Sequence, residues 1–289
     1  MLLNRPDARN ALSKALLDEL TRHVQSISAE GGTGPTRALV LGSTSDAAFC
    51  AGADLKERAG MSRDEYVFFL FFFFSCFLLF LPDVERRHDE HRLTAIPCDR
   101  TYEFLGKLRG TFRDLANLPV PTISSIPSVA LGGGLELGLC THFRVFSSST
   151  IVGLPETRLA IIPGAGGTYR LPELIGVTRA RDMVLTGRRV SGAESYFIGL
   201  CDRLVEVLPE EEQKPGGMRE KVLKESIKMA MDICEGGPIA ISQALRAVHE
   251  FQRGEEAEND AYAKVMETED RIEALRAFIE KRKPAFRGR

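Results

Sequence analysis

The chain has 289 residues, 44% of them hydrophobic, enough for one large core or a core with a smaller appendage. A formal net charge of −2 at pH 7 excludes a generic polyanion binder. Six cysteines, at 50, 76, 98, 140, 201 and 234, show no CxxC spacing and several lie in apolar runs, which points to reduced intracellular thiols and to no metal site.

The chain opens on Leu2-Leu3-Asn4-Arg5-Pro6, without a cleavable apolar region or an Arg/Ser-rich leader, so no targeting segment is read there. Asn10 to Ile27 reads as an amphipathic helix, with Leu12, Leu16, Leu20 and Val24 on one face and Lys14, Asp18 and Arg22 on another. Ala38 to Leu41 reads as a buried strand, and Phe49 to Lys56 carries small residues where backbone must approach something closely.

Tyr66 to Leu81 is anomalous: uncharged, with eight phenylalanines and neither helical nor strand periodicity. It is shorter than the roughly 20 residues of a bilayer-spanning helix, so no membrane anchor is expected. The charged run Glu85 to Arg92 that follows reads as a solvated loop, in spite of His88 and His91. We read residues 66–100 as an insertion outside the functional fold, arising from translated intron sequence, because Phe, Leu and Ser codons are pyrimidine-rich. Phe104 to Leu118 is then helical.

Val120 to Ile126 is an extended apolar segment that feeds Ala130-Leu131-Gly132-Gly133-Gly134-Leu135-Glu136-Leu137-Gly138-Leu139. Glycines at a strand-to-helix turn allow close backbone approach, and the N–H groups there are donors aimed at an anion. Glu136 follows two residues after the last glycine of the run, and Glu156 lies twenty residues on in the loop Gly153-Leu154-Pro155-Glu156. Two carboxyls beside such donors form an acid/base pair next to an oxyanion site.

Phe143 to Ser147 and Ile151-Val152 read as strands, Thr178 to Leu185 and Gly192 to Leu200 as helices. Gly164-Ala165-Gly166-Gly167-Thr168 lacks the third glycine of a dinucleotide fingerprint and no long strand precedes it, which rejects a nicotinamide site. No GxSxG elbow supports a serine hydrolase. Pro209 to Gly217 reads as a polar linker before helices over Arg219 to Ile233, Ile239 to Arg253 and Glu255 to Lys281. The expected division is a core over 1–208, carrying the insertion, and a helical region over 218–289.

These motifs resemble the enoyl-CoA hydratase/isomerase, or crotonase, superfamily. The resemblance runs from LNRPDARNAL through FCAGADLKERAGMS, NLPVPTI, ALGGGLELGL, GLPETRLAIIPGAGGTYRLP and LTGRRVSG to TEDRIEALRAFIEKRKPAF, and is strongest toward the mitochondrial methylglutaconyl-CoA hydratase branch and its enoyl-CoA hydratase-like relatives. It implies an α/β fold, a crotonase-like spiral of ββα units whose C-terminal helices pack on neighbours as a trimer or a hexameric dimer of trimers. The implied enzyme is a hydro-lyase adding water across the 2,3 double bond of a 2-enoyl-CoA, in fatty acid β-oxidation or leucine degradation, in the mitochondrial matrix.

By the same resemblance Ala53 and Gly133 form the oxyanion hole, Glu136 is the base on water, Glu156 gives a proton to the α-carbon, and Gly164 lies near the water. Coenzyme A, carried by the substrate and so not a separate cofactor, maps onto Ala8, Arg9, Asp54, Leu55 and Lys56, with Phe278 and Lys281 reaching it from a neighbouring subunit. The alternatives are an inactive splice or gene-model variant, an enoyl-CoA isomerase, and a binder of AU-rich RNA through the first helix, where Asp18 weakens the Lys14/Arg22 face. Three departures stand out. Pro127-Ser128 replaces the usual Asp-Gly or Asn-Gly and is expected to distort the strand before Gly133. Thr141-His142 replaces Cys-Asp, with His142 expected to be structural. The strand that normally precedes LNRP is expected to be missing, so that the chain start looks truncated.

Overall fold

The computed structural model describes residues 1–54 and 98–289. The chain repeats one move, in which a buried strand turns a corner into a second short strand and then a helix. After β1 (Leu2–Leu3) and α1 (Lys14–Ala29), the first repeat is β2 (Leu39–Ser43) and β3 (Ala48–Cys50), with α2 (Cys98–Ala116) following. The second is β4 (Thr122–Ile126), β5 (Val129–Leu131) and α3 (Gly133–Gly138). The third is β6 (Phe143–Ser147) and β7 (Ile151–Gly153), a 3₁₀ turn over Glu156–Leu159, then α4 (Gly167–Ile175) and α5 (Val177–Thr186). β8 (Arg189–Ser191), α6 (Gly192–Phe197) and β9 (Arg203–Val205) complete it.

First strands of the repeats build a parallel sheet in the order β1-β2-β4-β6-β9, and second strands build another in the order β3-β5-β7-β8, of which only β7–β8 is antiparallel. Every residue of β4 is buried, as expected of a parallel strand covered on both faces. Two of its hydroxyls are satisfied inside: Thr141 Oγ1 donates to Ser124 Oγ at 3.0 Å, and Thr122 Oγ1 accepts from His142 N at 2.9 Å. The main core packs Leu41, Phe49, Ile126 and Phe146 against Leu17 and Leu20 of α1 and Phe112 and Leu115 of α2.

α7 (Pro209–Gln213) falls where the sequence reads a linker; Pro209 at its start and three glutamates in its first turn suit a helix N-terminus. α8 (Gly217–Cys234) lays Val222, Met229 and Ala230 over Ile123 and Val145, covering the outer face of the first sheet. α9 (Pro238–His249) packs on α10 (Glu255–Met266). The helix expected over Glu255 to Lys281 is two, because Thr268 caps α11 (Glu269–Ile279) by accepting from Arg271 N at 3.3 Å. Among the described residues no helix is long and apolar enough to cross a membrane.

Further expectations are corrected. α1 begins at Lys14 rather than Asn10: Ser13 Oγ caps it by accepting from Leu16 N at 3.1 Å, and Asn10 has φ 53°. At the chain start Leu2 and Leu3, the latter already the first residue of LNRP, form a two-residue strand that pairs in parallel with Gly42 and Ser43. Pro127 and Ser128 form the corner between the sheets; beyond it β5 keeps a regular parallel register with β7 from Val129 to Leu131, while its pairing with β3 shifts register between Ala48 and Cys50. Cys98 to Arg100, which the sequence reading places in the insertion, belong to α2. Tyr66 to Leu81 and the charged run Glu85 to Arg92 lie outside the described residues.

Candidate active site

The first component is a pair of backbone donors. Leu12 makes an isolated parallel bridge with Ala53, in which Leu12 N donates to Gly52 O at 2.8 Å and Asp54 N donates to Leu12 O at 3.2 Å. Both bonds use Ala53's neighbours, so its own N–H points to the opposite side of the strand. Gly133 opens α3 there, and a β-carbon on Gly133 would stand 3.9 Å from Ala53 N. Among the described residues neither N–H has a protein acceptor.

Buried polar groups fix the Ala53 loop. Asp54, 6% exposed, pairs with Arg5 Nη2 at 2.9 Å, while Arg5 Nη1 donates to Ala11 O at 2.7 Å. Asn10 Oδ1 accepts from Arg5 N at 2.7 Å, and Asn10 Nδ2 donates to Ser43 Oγ at 2.7 Å and Phe49 O at 3.1 Å. The Arg5, Asn10 and Asp54 side chains therefore tie the chain start to the Cys50–Asp54 turn. On the other side, α3 is pressed against β3 so closely that a β-carbon on Gly134 would meet Cys50 O at 2.0 Å, which only glycine permits.

The second component is two carboxyls. Glu136 is 2% exposed, and its Oε1 accepts from Ala165 N and Gly167 N, each at 2.8 Å. Burial pushes its pKa up, while the Gly167 and Ala165 N–H groups and the Arg109 charge pull against that, leaving it raised. Glu156 is 9% exposed and its buried Oε2 has no hydrogen-bond partner. Burial and, to a smaller extent, the Glu136 charge push Glu156 up to about 7, opposed by its own backbone N–H. Burial raises both carboxyls, and on Glu136 alone two N–H groups of the Ala165–Gly167 loop oppose it.

Both reach the glycine turn. A β-carbon on Gly132 would stand 2.9 Å from Glu156 Oε1, and one on Gly133 would stand 3.9 Å from Glu136 Oε2. Gly132 also has φ 54° and ψ −128°, open to glycine alone, so backbone and carboxyl both demand it.

Ala53, Gly133, Glu136 and Glu156 are thus brought together from three segments, the Ala53 loop, the first turn of α3 and the 3₁₀ turn at Glu156, and Gly164 lies beside them in the loop that binds Glu136. Ala8 and Arg9 lie on and just after the 3₁₀ turn Pro6–Ala8, with Arg9 exposed and its carbonyl accepting from Ala51 N at 3.0 Å. Asp54 is engaged with Arg5. Leu55 and Lys56 lie outside the described residues. Phe278 is 84% exposed near the end of α11, and Lys281 sits in the turn beyond it with φ 52°. On α1, Asp18 is salt-bridged to Lys107.

Sequence reading missed Ala165 and Gly167, although the glycine-rich loop holding them was in view: weighed as a dinucleotide loop, it binds a carboxylate of the chain's own. His142 is a structural group, as expected. Thr122 N donates to its Nδ1 at 3.0 Å, and burial lowers its pKa to about 4. Among the described residues no three His, Cys, Asp or Glu side chains cluster to hold a metal.

The sequence profile of the enoyl-CoA hydratase/isomerase family matches residues 1–74 and 100–289. The chain is 53% identical over 287 residues to an enoyl-CoA isomerase/hydratase of Zymoseptoria tritici, covering 99% of this chain and 82% of that protein. It is 50% identical over 322 residues to a mitochondrial methylglutaconyl-CoA hydratase of Pyricularia oryzae, with the same coverage of 99% and 82%. The crystal structure of an enoyl-CoA hydratase from Bacillus anthracis matches with a TM-score of 0.80 at 36% identity, covering 100% of this chain and 94% of that one. The unmatched residues 75–99 narrow the insertion read from sequence. On either side of them the sequence matches one family, and the fold matches a solved hydratase along its length: the chain belongs to the enoyl-CoA hydratase/isomerase, or crotonase, family.

Proposed function

We propose that this protein is an enoyl-CoA hydratase, a hydro-lyase adding water across the 2,3 double bond of a 2-enoyl-CoA thioester. The observation that carries the reading is the contrast between the carboxyls: Glu136, held by two N–H groups, suits a base, and Glu156, with a bare buried oxygen and a pKa near 7, suits a proton donor.

In the proposed step Glu136 removes a proton from water as its oxygen bonds C3. The C2–C3 π electrons move toward the thioester, whose oxygen takes up negative charge between Ala53 N–H and Gly133 N–H. Glu156 then delivers its proton to C2, and the carboxyls recover their starting protonation after product leaves. One such N–H donor contributes about 2.7 to 4 kcal/mol to a transition state of this kind. Gly164 N–H helps hold the water.

The substrate brings the coenzyme A, so the step needs no separate cofactor. Ala8, Arg9, Leu55 and Lys56, with Phe278 and Lys281 from a neighbouring copy in a trimer or dimer of trimers, are the proposed contacts. The proposed substrate is methylglutaconyl-CoA, in leucine degradation; that substrate and a mitochondrial location are supported by relatives bearing those names, among them the Pyricularia oryzae protein and a human methylglutaconyl-CoA hydratase at 34% identity. The test is hydration of crotonyl-CoA and methylglutaconyl-CoA alongside isomerisation of a 3-enoyl-CoA. Isomerisation without hydration overturns the reading in favour of an isomerase, and neither reaction in a folded protein makes this an inactive member of the family.

A further inference from the structure

We propose that Arg109 is a positioning residue for the proton-transfer site: it fastens the carbonyl of Gly164 so that the next turn presents Ala165 N–H and Gly167 N–H to Glu136. The proposal rests on the reading of Glu136 as the base. Arg109 Nε donates to Gly164 O at 2.6 Å, and Leu105, one turn earlier on α2, places Cδ2 3.1 Å from where a β-carbon of Gly164 would stand. Residues four apart share a helix face, so α2 grips Gly164 with an apolar and a charged contact at once. From Gly164 the chain runs directly into the two donors that bind Glu136 Oε1 at 2.8 Å.

Arg109 therefore acts on Glu136 in two ways. Its hydrogen bond fixes the direction of donors that hold the carboxylate, and its guanidinium charge favours the ionised form. The other charged or titratable groups around Glu136 do not replace it. Glu156, from the 3₁₀ turn, carries the same sign. Cys140, just past the end of α3, is held neutral by burial with its pKa at about 12, and its Sγ donates to Glu136 O at 3.1 Å. Arg170 on α4 bears on Cys140, and its Nε is buried without a partner.

The test compares Arg109→Met, Arg109→Lys and Glu136→Gln with the unaltered full chain in crotonyl-CoA hydration across pH. Arg109→Met is expected to lower kcat on the order of tenfold, with KM within about twofold. The acidic limb of its kcat/KM profile should move up by about half a pH unit or more. Arg109→Lys keeps the charge and should return that limb toward its original position while kcat stays reduced. An unchanged acidic limb in Arg109→Met overturns the proposal, even if its Tm falls, because that is the signature of a merely structural contact. An active Glu136→Gln instead removes the base reading itself, whatever the Arg109 variants do.

Discussion

Glu136 and Glu156 line one glycine turn, yet Glu136 Oε1 accepts two backbone N–H bonds while the buried Glu156 Oε2 accepts none. A carboxylate with few donors in a low-dielectric site resists ionisation, and one held by more donors tolerates it better. The division of labour proposed for them follows from this asymmetry and not from their positions in the chain.

Replacing either carboxyl by its amide keeps the shape and removes proton exchange. Glu136→Gln and Glu156→Gln are each expected to lower kcat for hydration by about 10² to 10⁴-fold. Acyl-CoA affinity, measured by calorimetry, should stay nearly unchanged. A loss below about tenfold in either variant would take that residue out of the mechanism.

The pH profile follows with a definite sign. The base must be ionised and the acid protonated, so kcat/KM should fall at low pH as Glu136 gains its proton and fall again above about 7 as Glu156 loses one. Stability runs the same way on the alkaline side. A carboxyl raised from 4.5 to about 7 on folding contributes stability that is complete below 4.5 and is lost as pH rises through 7. Thermal midpoints of the unaltered protein should therefore fall relative to Glu156→Gln between those limits. Parallel midpoints across that window would show that Glu156 is not held in its acid form.

Much of this site was legible in the sequence because its parts are short and chemically unusual. A glycine run after an apolar strand announces Gly133, and glutamates in otherwise apolar or Gly/Pro-bounded stretches announce Glu136 and Glu156. The repeat was less legible: β3, β5 and β7 have three residues each, too few to show a period. Ala165 and Gly167 act through backbone N–H groups, which leave no mark on residue type, and Arg109 is an ordinary helix-surface arginine until Gly164 is folded beneath it. The break at Thr268 was readable as a Thr-Glu-Asp helix start, but the apolar pattern running through it hid the stop.

His142 gives a second pH signature of opposite form. Its Nδ1 accepts from Thr122 N, so the ring is neutral, and burial lowers its pKa from 6.5 to about 4. Between those values the unfolded chain binds the proton and the folded one does not, so stability is lost as pH falls from 6.5 toward 4. His142→Ala should flatten that slope, and by stranding Thr122 N–H it should cost about 1 to 3 kcal/mol in denaturant unfolding at pH 7.5. Hydration by the folded variant should persist, since His142 sits on the strand side of α3. A lost hydratase rate without lost stability would overturn the structural role.

The last prediction concerns residues 75–99, which the family profile skips. They begin inside the uncharged phenylalanine-rich run of Tyr66 to Leu81 and continue through the charged stretch Glu85 to Arg92. The family fold closes its core without them, and close-packed interiors have no spare volume for further aromatic and leucine side chains. On the surface, Cys76 to Leu81 lengthen the apolar run that begins at Tyr66, and a longer exposed apolar stretch favours association. In sequence the segment also lies between Asp54 of the oxyanion loop and Arg109, and its last two residues, Cys98 and Asp99, are the first of α2. A chain lacking residues 75–99 should therefore be more monodisperse, have the higher thermal midpoint and hydrate crotonyl-CoA at least as fast as the full chain. Transcript reads across the gene offer an independent check, since the intron reading requires a spliced form lacking this segment. Equal solubility, equal midpoint and equal rate in the two purified chains would show instead that the segment is a tolerated part of the protein.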